Sequence, residues 1–245
     1  MPKRALILKG GTMRGAFTVG ALKTVHRLLG VNHFDAIFAT SVGVFEQAFF
    51  ASEQIFFMEN TWREYVHGNK LIKLTNFFKR KPILDLDYLV ELFQSEKSML
   101  DIQKMKNARP QLLTFVTDYE TREPTLMDLK NGPVFDIMRA TSAIPMIYPK
   151  KVVLNGRRYV DSWMADESKF HKFIKETLKD YDEVLAISTY EEDKGLSEVK
   201  HIIKPSVMPL WGVLDTNQYR LIKTIEQGEK DAEKFIIENN LLNNK

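Results

Sequence analysis

Residues 34–52 read FDAIFATSVGVFEQAFFAS, and this stretch decides the fold. Residues 35–40 form a short apolar run with β-branched and aromatic members, which is typical of a buried strand. After Gly43 the apolar side chains recur at helical spacing, at Val44, Phe45, Ala48, Phe49 and Ala51. The stretch therefore predicts a strand, a sharp turn and a helix.

Ser41 stands at that turn, in the pentapeptide Ala39-Thr40-Ser41-Val42-Gly43. The pattern is that of a nucleophile elbow, G-x-S-x-G, with Ala39 in place of the first glycine. An elbow needs small residues two before and two after the serine, because strand and helix pass close together there. The helix N-terminus then points at any anion formed at the serine. Taken alone, the pentapeptide fits a serine that only caps a helix equally well.

The chain has 245 residues, and we expect one domain over 1–245, with a core at about 3–189 and a C-terminal helical extension at about 205–240. A net charge of +3 is too small to indicate a nucleic-acid partner. The absence of cysteine excludes disulfides and thiolate catalysis and fits a reducing cytoplasm. No secretion signal or transmembrane stretch is recognisable, so we expect a cytoplasmic protein.

Residues 4–9 predict a first buried strand, and the loop Gly10-Gly11-Thr12-Met13-Arg14-Gly15 follows it before a helical pattern. Glycines free backbone N–H groups to converge on an anion. The loop fits a phosphate cradle, an oxyanion hole or a plain tight turn, but it lacks both common nucleotide-binding fingerprints. A right-handed crossover would bring this loop and Ser41 to the same sheet edge, which favours a serine acyl hydrolase.

The remaining pattern alternates helices and strands. Strands are predicted at 111–119, 124–129 and 183–189, with a hairpin at 151–160 around Asn155-Gly156; helices are predicted at 53–67, 85–93, 133–143, 168–178 and 218–239; residues 191–209 read as irregular. Residues 71–82 are basic and contain Phe77 and Phe78. That segment fits either a peripheral contact with anionic lipid or a solvated connection.

A serine nucleophile needs a proton acceptor, which is most often histidine. The five histidines do not follow a late strand, where a hydrolase would place its base: His26, His33, His67, His171 and His201. Asp161 does stand at the end of a predicted strand. It fits a carboxylate base, although an aspartate at a turn can also serve only as a cap.

Together these segments resemble the patatin-like phospholipase family. The loop at Gly10–Gly15 resembles the family's G-G-G-x-R-G, and the pentapeptide around Ser41 resembles its G-T-S-A-G. Residues 140–145 (ATSAIP) resemble its A-S-x-A-x-P, and residues 156–161 (GRRYVD) resemble its G-x-x-Y-V-D. Their order and spacing agree over roughly residues 3–189.

The resemblance implies a three-layer α/β/α sandwich around a mainly parallel sheet and a Ser–Asp dyad without histidine. Ser41 would be the nucleophile and Asp161 the base. The amides of Gly11, Thr12 and Met13 would form the oxyanion hole, and Arg14 would hold that loop. The implied substrate is a lipid or other acyl ester, with no metal or organic cofactor.

Three departures from the family pattern support a second hypothesis. Thr12 replaces the third loop glycine, which matters if that position needs a positive φ. Ala39 replaces the first elbow glycine, and Ser162 and Trp163 follow Asp161 where the family has small residues. Trp163 is a candidate wall of the acyl pocket. The second hypothesis is a domain with weakened catalysis that binds lipid or a protein partner.

Overall fold

The computed structural model describes residues 2–76, 81–191, 196 and 198–243. Its centre is a mixed sheet in the order β5-β6-β3-β2-β1-β7-β8, with β4 also paired to β3. The strands are β1 (Arg4–Leu8), β2 (Ala36–Thr40), β3 (Gln111–Asp118), β4 (Pro124–Asp128), β5 (Val152–Leu154), β6 (Arg157–Val160), β7 (Glu183–Ile187) and β8 (His201–Ile203).

The run from β3 through β2, β1 and β7 to β8 is parallel, whereas β4, β5 and β6 join it in antiparallel pairs. In register, Leu8 pairs with Ala39 and with Ile187. The carboxyl ends of β1, β2 and β7 therefore lie side by side, as the crossover argument predicts.

Helices cover both faces of the sheet. The helices are α1 (Gly15–Leu28), α2 (Gly43–Ala51), α3 (Ile55–Asn60), α4 (Leu86–Gln94), α5 (Ile102–Asn107), α6 (Val134–Ser142), α7 (Glu167–Leu178) and α8 (Gln218–Glu238). None of the helices in the described ranges is long and apolar enough to span a membrane.

Alternating side chains of the central strands build two cores. Leu6 and Leu8 of β1 face the core shared with α1, α2 and α8, whereas Ala5 and Ile7 face a smaller core closed by α7. This period of two is the geometry of a strand buried on both faces. The predicted three-layer sandwich is confirmed.

Most predicted elements lie within one to three residues of the observed ones. Asn155 and Gly156 both have positive φ, as the hairpin prediction requires, and Asp85 caps α4 by accepting from the Tyr88 amide. The predicted helix at 53–67 is instead α3 followed by a π-helical turn at Thr61–Tyr65.

The tail is where the prediction is wrong. Residues 191–209 are not wholly irregular, because β8 extends the sheet beside β7. Residues 205–217 are not helical, and α5 has no counterpart in the prediction. The predicted lipid contact at Phe77 and Phe78 lies outside the described residues.

Helix α8 packs against α1 at very close range. A Cβ on Gly228 would lie 2.9 Å from the Ala21 amide nitrogen and closer still to the Phe17 carbonyl oxygen. A Cβ on Gly20 would collide with the Ile225 carbonyl in the same way. The crossing of the two helices therefore requires glycine on each of them.

We expect Gly228→Ala to lower the free energy of unfolding by about 2–4 kcal/mol, because the added methyl meets backbone that cannot rotate away. Urea unfolding measures this change. Gly212→Ala is the control, since a Cβ there meets open space, and it should fall within about 0.5 kcal/mol of the native protein. Equal stabilities of the two variants would contradict the packing account.

Candidate active site

Ser41 lies at the carboxyl end of β2 in a strained conformation. Its φ is 52°, in the left-handed region that non-glycine residues seldom adopt, and its carbonyl accepts from the Val44 amide at 3.1 Å. This strained backbone conformation is the one found at the serine of a nucleophile elbow. The bonded turn shows why the sequence changes from strand to helix at this residue.

Small residues let the elbow and the glycine loop touch. A Cβ on Gly10 would collide with the Ser41 side chain, and a Cβ on Gly43 would lie 2.8 Å from the Leu8 carbonyl oxygen. Ala39 is fully buried in the main core, so its extra methyl is accommodated there. The elbow positions singled out in the sequence are thus the points of closest approach.

Thr141 ties the elbow to the neighbouring strand. Its hydroxyl accepts from the Ser41 amide at 3.0 Å and donates to the Phe115 carbonyl at 2.8 Å. Thr141 belongs to the ATSAIP motif, but the sequence analysis assigned it no role. The motif could have pointed to Thr141, and the structure shows the two hydrogen bonds that its hydroxyl makes.

Asp161 follows β6 and is only 2% exposed. Its Oδ1 accepts from the Trp163 amide at 2.8 Å, and its own amide donates to the Ala143 carbonyl at 3.0 Å. Burial raises the pKa of Asp161 to about 6, against the opposing effects of the Ser41 hydroxyl, the Trp163 amide and the charge of Lys9.

Among the residues that the structure describes, the second carboxylate oxygen of Asp161 has no hydrogen-bond partner, although it is buried. A buried carboxylate oxygen without a partner is costly to maintain. The Ser41 hydroxyl is close enough to lower the pKa of the carboxyl. Such contacts often tighten only when substrate is bound.

The glycine loop presents a row of backbone amides. Thr12 has φ 51°, so this position does require the left-handed conformation that a glycine would adopt more easily. Within the described residues, the amides of Gly11 and Thr12 have no acceptor. The Gly10 amide donates to Thr40 Oγ1 at 2.9 Å, and the Met13 amide donates to the Val213 carbonyl at 3.0 Å.

Further contacts hold the loop from the side of β7. Thr189 Oγ1 donates to the Gly10 carbonyl at 2.7 Å. The Arg14 guanidinium lies over the Tyr190 ring at 4.9 Å, and Arg14 Nε is buried without a hydrogen-bond partner among the described residues. Arg14 therefore reaches the end of β7 by stacking and not by a hydrogen bond of its Nε.

Ser41 opens into a small apolar cavity of about 20 Å³. Its walls are mainly aliphatic and aromatic: Thr12, Ser41, Val42, Phe45, Leu71, Leu84, Leu86, Leu89, Ser142 and Ile144. Trp163, predicted as a pocket wall, is 66% exposed and lies outside this lining. The space fits about one water molecule, so an acyl chain requires the walls to move.

No histidine takes part in this arrangement. None of the five, all of which are in the described ranges, lines the Ser41 cavity. His33, His171 and His201 border a separate cavity of about 780 Å³ beside the starts of β1 and β7, at the opposite edge of the sheet. That cavity is larger, but it lacks the strained serine and the buried carboxylate.

The buried carboxyl group of Glu46 was not singled out from the sequence. Glu46 of α2 is buried and accepts from Trp62 Nε1 at 3.0 Å, and Trp62 packs where a Cβ on Gly15 would lie. Burial raises the pKa of Glu46 to about 8, so it is protonated at neutral pH. Within the sequence Glu46 is one of two polar residues, with Gln47, in the apolar helix α2.

A model of the patatin-like phospholipase family matches residues 6–173, well over half of the chain. The chain belongs to the patatin-like phospholipase family. The match contains the glycine loop, Ser41 and Asp161, so the geometry above lies inside the family region. Membership supports activity as a lipid hydrolase.

The chain is similar to an uncharacterised protein, YjjU, of Escherichia coli strain K12, with 27% identity over 164 residues. The match covers 66% of this chain but only 46% of YjjU. Among solved structures, VipD of Legionella pneumophila has a TM-score of 0.52 at 11% identity, covering 97% of this chain and 67% of VipD. The ExoU–SpcU complex of Pseudomonas aeruginosa has a TM-score of 0.43 at 15% identity, and the match covers 96% of this chain and 52% of the chain in that structure. VipD supports the fold alone.

We expect Asp161→Asn to stabilise the protein above pH 6 by about 1–3 kcal/mol. The raised pKa means that the native protein loses stability as pH rises from about 4 through about 6, because the buried carboxyl must then ionise. The amide carries no charge and keeps an oxygen for the Trp163 amide. Urea unfolding at pH 4.5 and pH 8 measures the difference, and a variant less stable than native at pH 8 would contradict it.

Proposed function

We propose that the protein is a serine acyl hydrolase of lipid esters that works through a Ser41–Asp161 dyad. The observation that carries the proposal is a strained, cavity-facing serine together with a buried carboxylate whose second oxygen has no partner in the described part of the chain. Family membership supports the lipid substrate class.

In the first half-reaction Ser41 Oγ attacks the ester carbonyl carbon and passes its proton to Asp161 Oδ2. The carbonyl electron pair moves onto the oxygen, and the amides of Gly11 and Thr12 donate to that oxyanion. When the tetrahedral intermediate collapses, the alcohol leaves with the proton from Asp161. The product is an acyl-enzyme on Ser41.

The second half-reaction reverses these roles. Asp161 takes a proton from a water molecule that attacks the acyl carbonyl, and Ser41 leaves as the hydroxyl after recovering that proton. A carboxylate with a pKa of about 6 accepts protons far better than one at its usual value, which explains how an aspartate can replace histidine. Burial is thus the source of the basicity.

The apolar cavity supports an acyl chain as the bound group. Phe45, Leu84 and Leu89 are among the side chains that would contact the first carbons beyond the carbonyl. The polar head group would then lie at the outer, exposed side of the crevice. Charged small substrates find no counter-charge among the lining residues.

One observation favours the second candidate, a domain with weakened catalysis. Thr12 occupies a left-handed position, and the Met13 amide is already bonded, so the loop offers fewer free donors than the sequence resemblance implies. Reactivity of Ser41 separates the two candidates, because a binding domain needs no activated serine.

Labelling by a fluorophosphonate probe tests the dyad without the natural substrate. We expect the native protein to be labelled, Ser41→Ala to carry no label, and Asp161→Asn to react at least 100-fold more slowly, because the proton acceptor is gone. Ser142→Ala removes the other serine of the cavity and should still be labelled. Labelling that persists in Ser41→Ala would refute the assignment.

The rate of labelling should also depend on pH. Because the Asp161 carboxyl must be ionised to accept a proton, we expect the rate to fall about tenfold per pH unit below an apparent pKa of about 6. A profile measured from pH 4.5 to pH 8 checks this. A midpoint near 4 would mean that burial does not set the basicity of Asp161.

A further inference from the structure

A segment of the C-terminal tail crosses the glycine loop. We call residues 207–216, between β8 and α8, the strap. Its Val213 carbonyl accepts from the Met13 amide at 3.0 Å, and its Thr216 carbonyl accepts from the Gly68 amide at 2.9 Å. Just before the strap, Ser206 is bonded to Asp231 of α8. The strap is therefore fixed at its ends and touches the active-site loop at its middle.

The bond to Met13 opposes the proposed chemistry. Met13 is the residue directly after Thr12 in the glycine loop, and its N–H donates to the Val213 carbonyl, so in this state it is not free for a substrate oxygen. Loss of one oxyanion donor typically reduces the rate by about 100- to 1,000-fold. The cavity beside Ser41 is also too small for an acyl chain. Both features describe a closed site.

Asp215 organises the strap. Its carboxylate accepts from the amides of Trp211 and Asn217, each at 3.0 Å, and pairs with Arg220 at 2.6 Å and 2.8 Å. The Arg220 guanidinium lowers the pKa of Asp215 to about 2, so this carboxylate is charged at any physiological pH. One side chain thus joins the strap to the first turn of α8.

The outer surface formed by the strap and the first two turns of α8 is aromatic and basic. Trp211 is 85% exposed, and the Arg220 guanidinium lies 3.8 Å from the centre of its ring. Tyr219 is exposed as well, with Lys223 over its ring at 5.7 Å. Arg220 and Lys223 are paired with Asp215 and Glu226, so a lipid phosphate would compete with these carboxylates for them. Exposed Trp and Tyr beside such cations suit the headgroup region of an anionic lipid surface.

We propose that the strap is a lipid-responsive gate. In the closed state the Val213 carbonyl holds the Met13 amide. When Trp211 and Tyr219 enter an anionic lipid surface, the strap moves away, which frees that amide as a third oxyanion donor and opens the cavity. The proposal rests on the hydrolase function above and adds the partner that switches it on.

The test measures two quantities with and without vesicles of phosphatidylcholine and phosphatidylglycerol. The first is the rate of Ser41 labelling by a soluble fluorophosphonate, and the second is hydrogen exchange of the peptide containing Met13. We expect vesicles to raise the labelling rate of the native protein at least tenfold and to accelerate exchange of the Met13 amide. Trp211→Ser should lose most of this response.

Asp215→Ala should be labelled at least tenfold faster than native without vesicles, because the loosened strap releases Met13. Its control is Asp166→Ala, which removes the aspartate that caps α7 on the other layer and should keep the native rate and the vesicle response. Phe56→Ser, an equally exposed aromatic residue on α3, is the control for Trp211→Ser.

The outcomes separate the gate from the hydrolase. Native labelling that vesicles do not change, together with unchanged exchange at Met13, overturns the gate and leaves the hydrolase standing. Absence of labelling in every variant, with exchange that still accelerates on vesicles, refutes the hydrolase and retains a lipid-dependent strap. If Asp215→Ala does not fold, the comparison of Trp211→Ser with Phe56→Ser still tests the gate, and equal vesicle responses of these two variants overturn it.

Discussion

The close approach of two backbone turns is the constraint on which this structure depends. The glycine loop after β1 and the elbow after β2 meet where Gly10 lies against Ser41 and Gly43 lies against the Leu8 carbonyl. A side chain at either glycine would push the two turns apart. Parallel neighbours in the sheet make this meeting possible, because their carboxyl ends share one edge. The parallel pairing of β1 and β2 therefore brings these two short turns into contact.

Asp161 shows how stability and reactivity are opposed at that edge. Burial raises its pKa to about 6, which makes the carboxylate a better proton acceptor and makes the folded protein less stable above that pH. The Trp163 amide satisfies one carboxylate oxygen, and the other has no partner among the described residues. A partner for that oxygen would stabilise the fold and lower the basicity. The proposed chemistry therefore needs a buried oxygen without a partner, which is a feature that stability alone would not favour.

The sequence predicted the parts of the fold that depend on local patterns. Apolar runs, glycines and the Asn155-Gly156 turn placed β1, β2, the elbow and the hairpin, because each is determined by neighbouring residues. The strand β8 escaped prediction because three residues carry little periodicity, and only pairing with β7 makes them a strand. The bond from Met13 to Val213 escaped for a related reason. It joins two backbone groups that are far apart in sequence, and the identities of the two side chains do not indicate that their backbones are bonded.

The C-terminal tail also packs against the part of the chain that matches the family. The match to the family ends at residue 173, yet α8 lies directly on α1, the helix that begins at the glycine loop. The close crossing at Gly20 and Gly228 fixes α8 relative to that loop. The strap between β8 and α8 also holds one amide of the loop, because the Val213 carbonyl accepts from the Met13 N–H. Contacts from outside the family match therefore position the glycine loop.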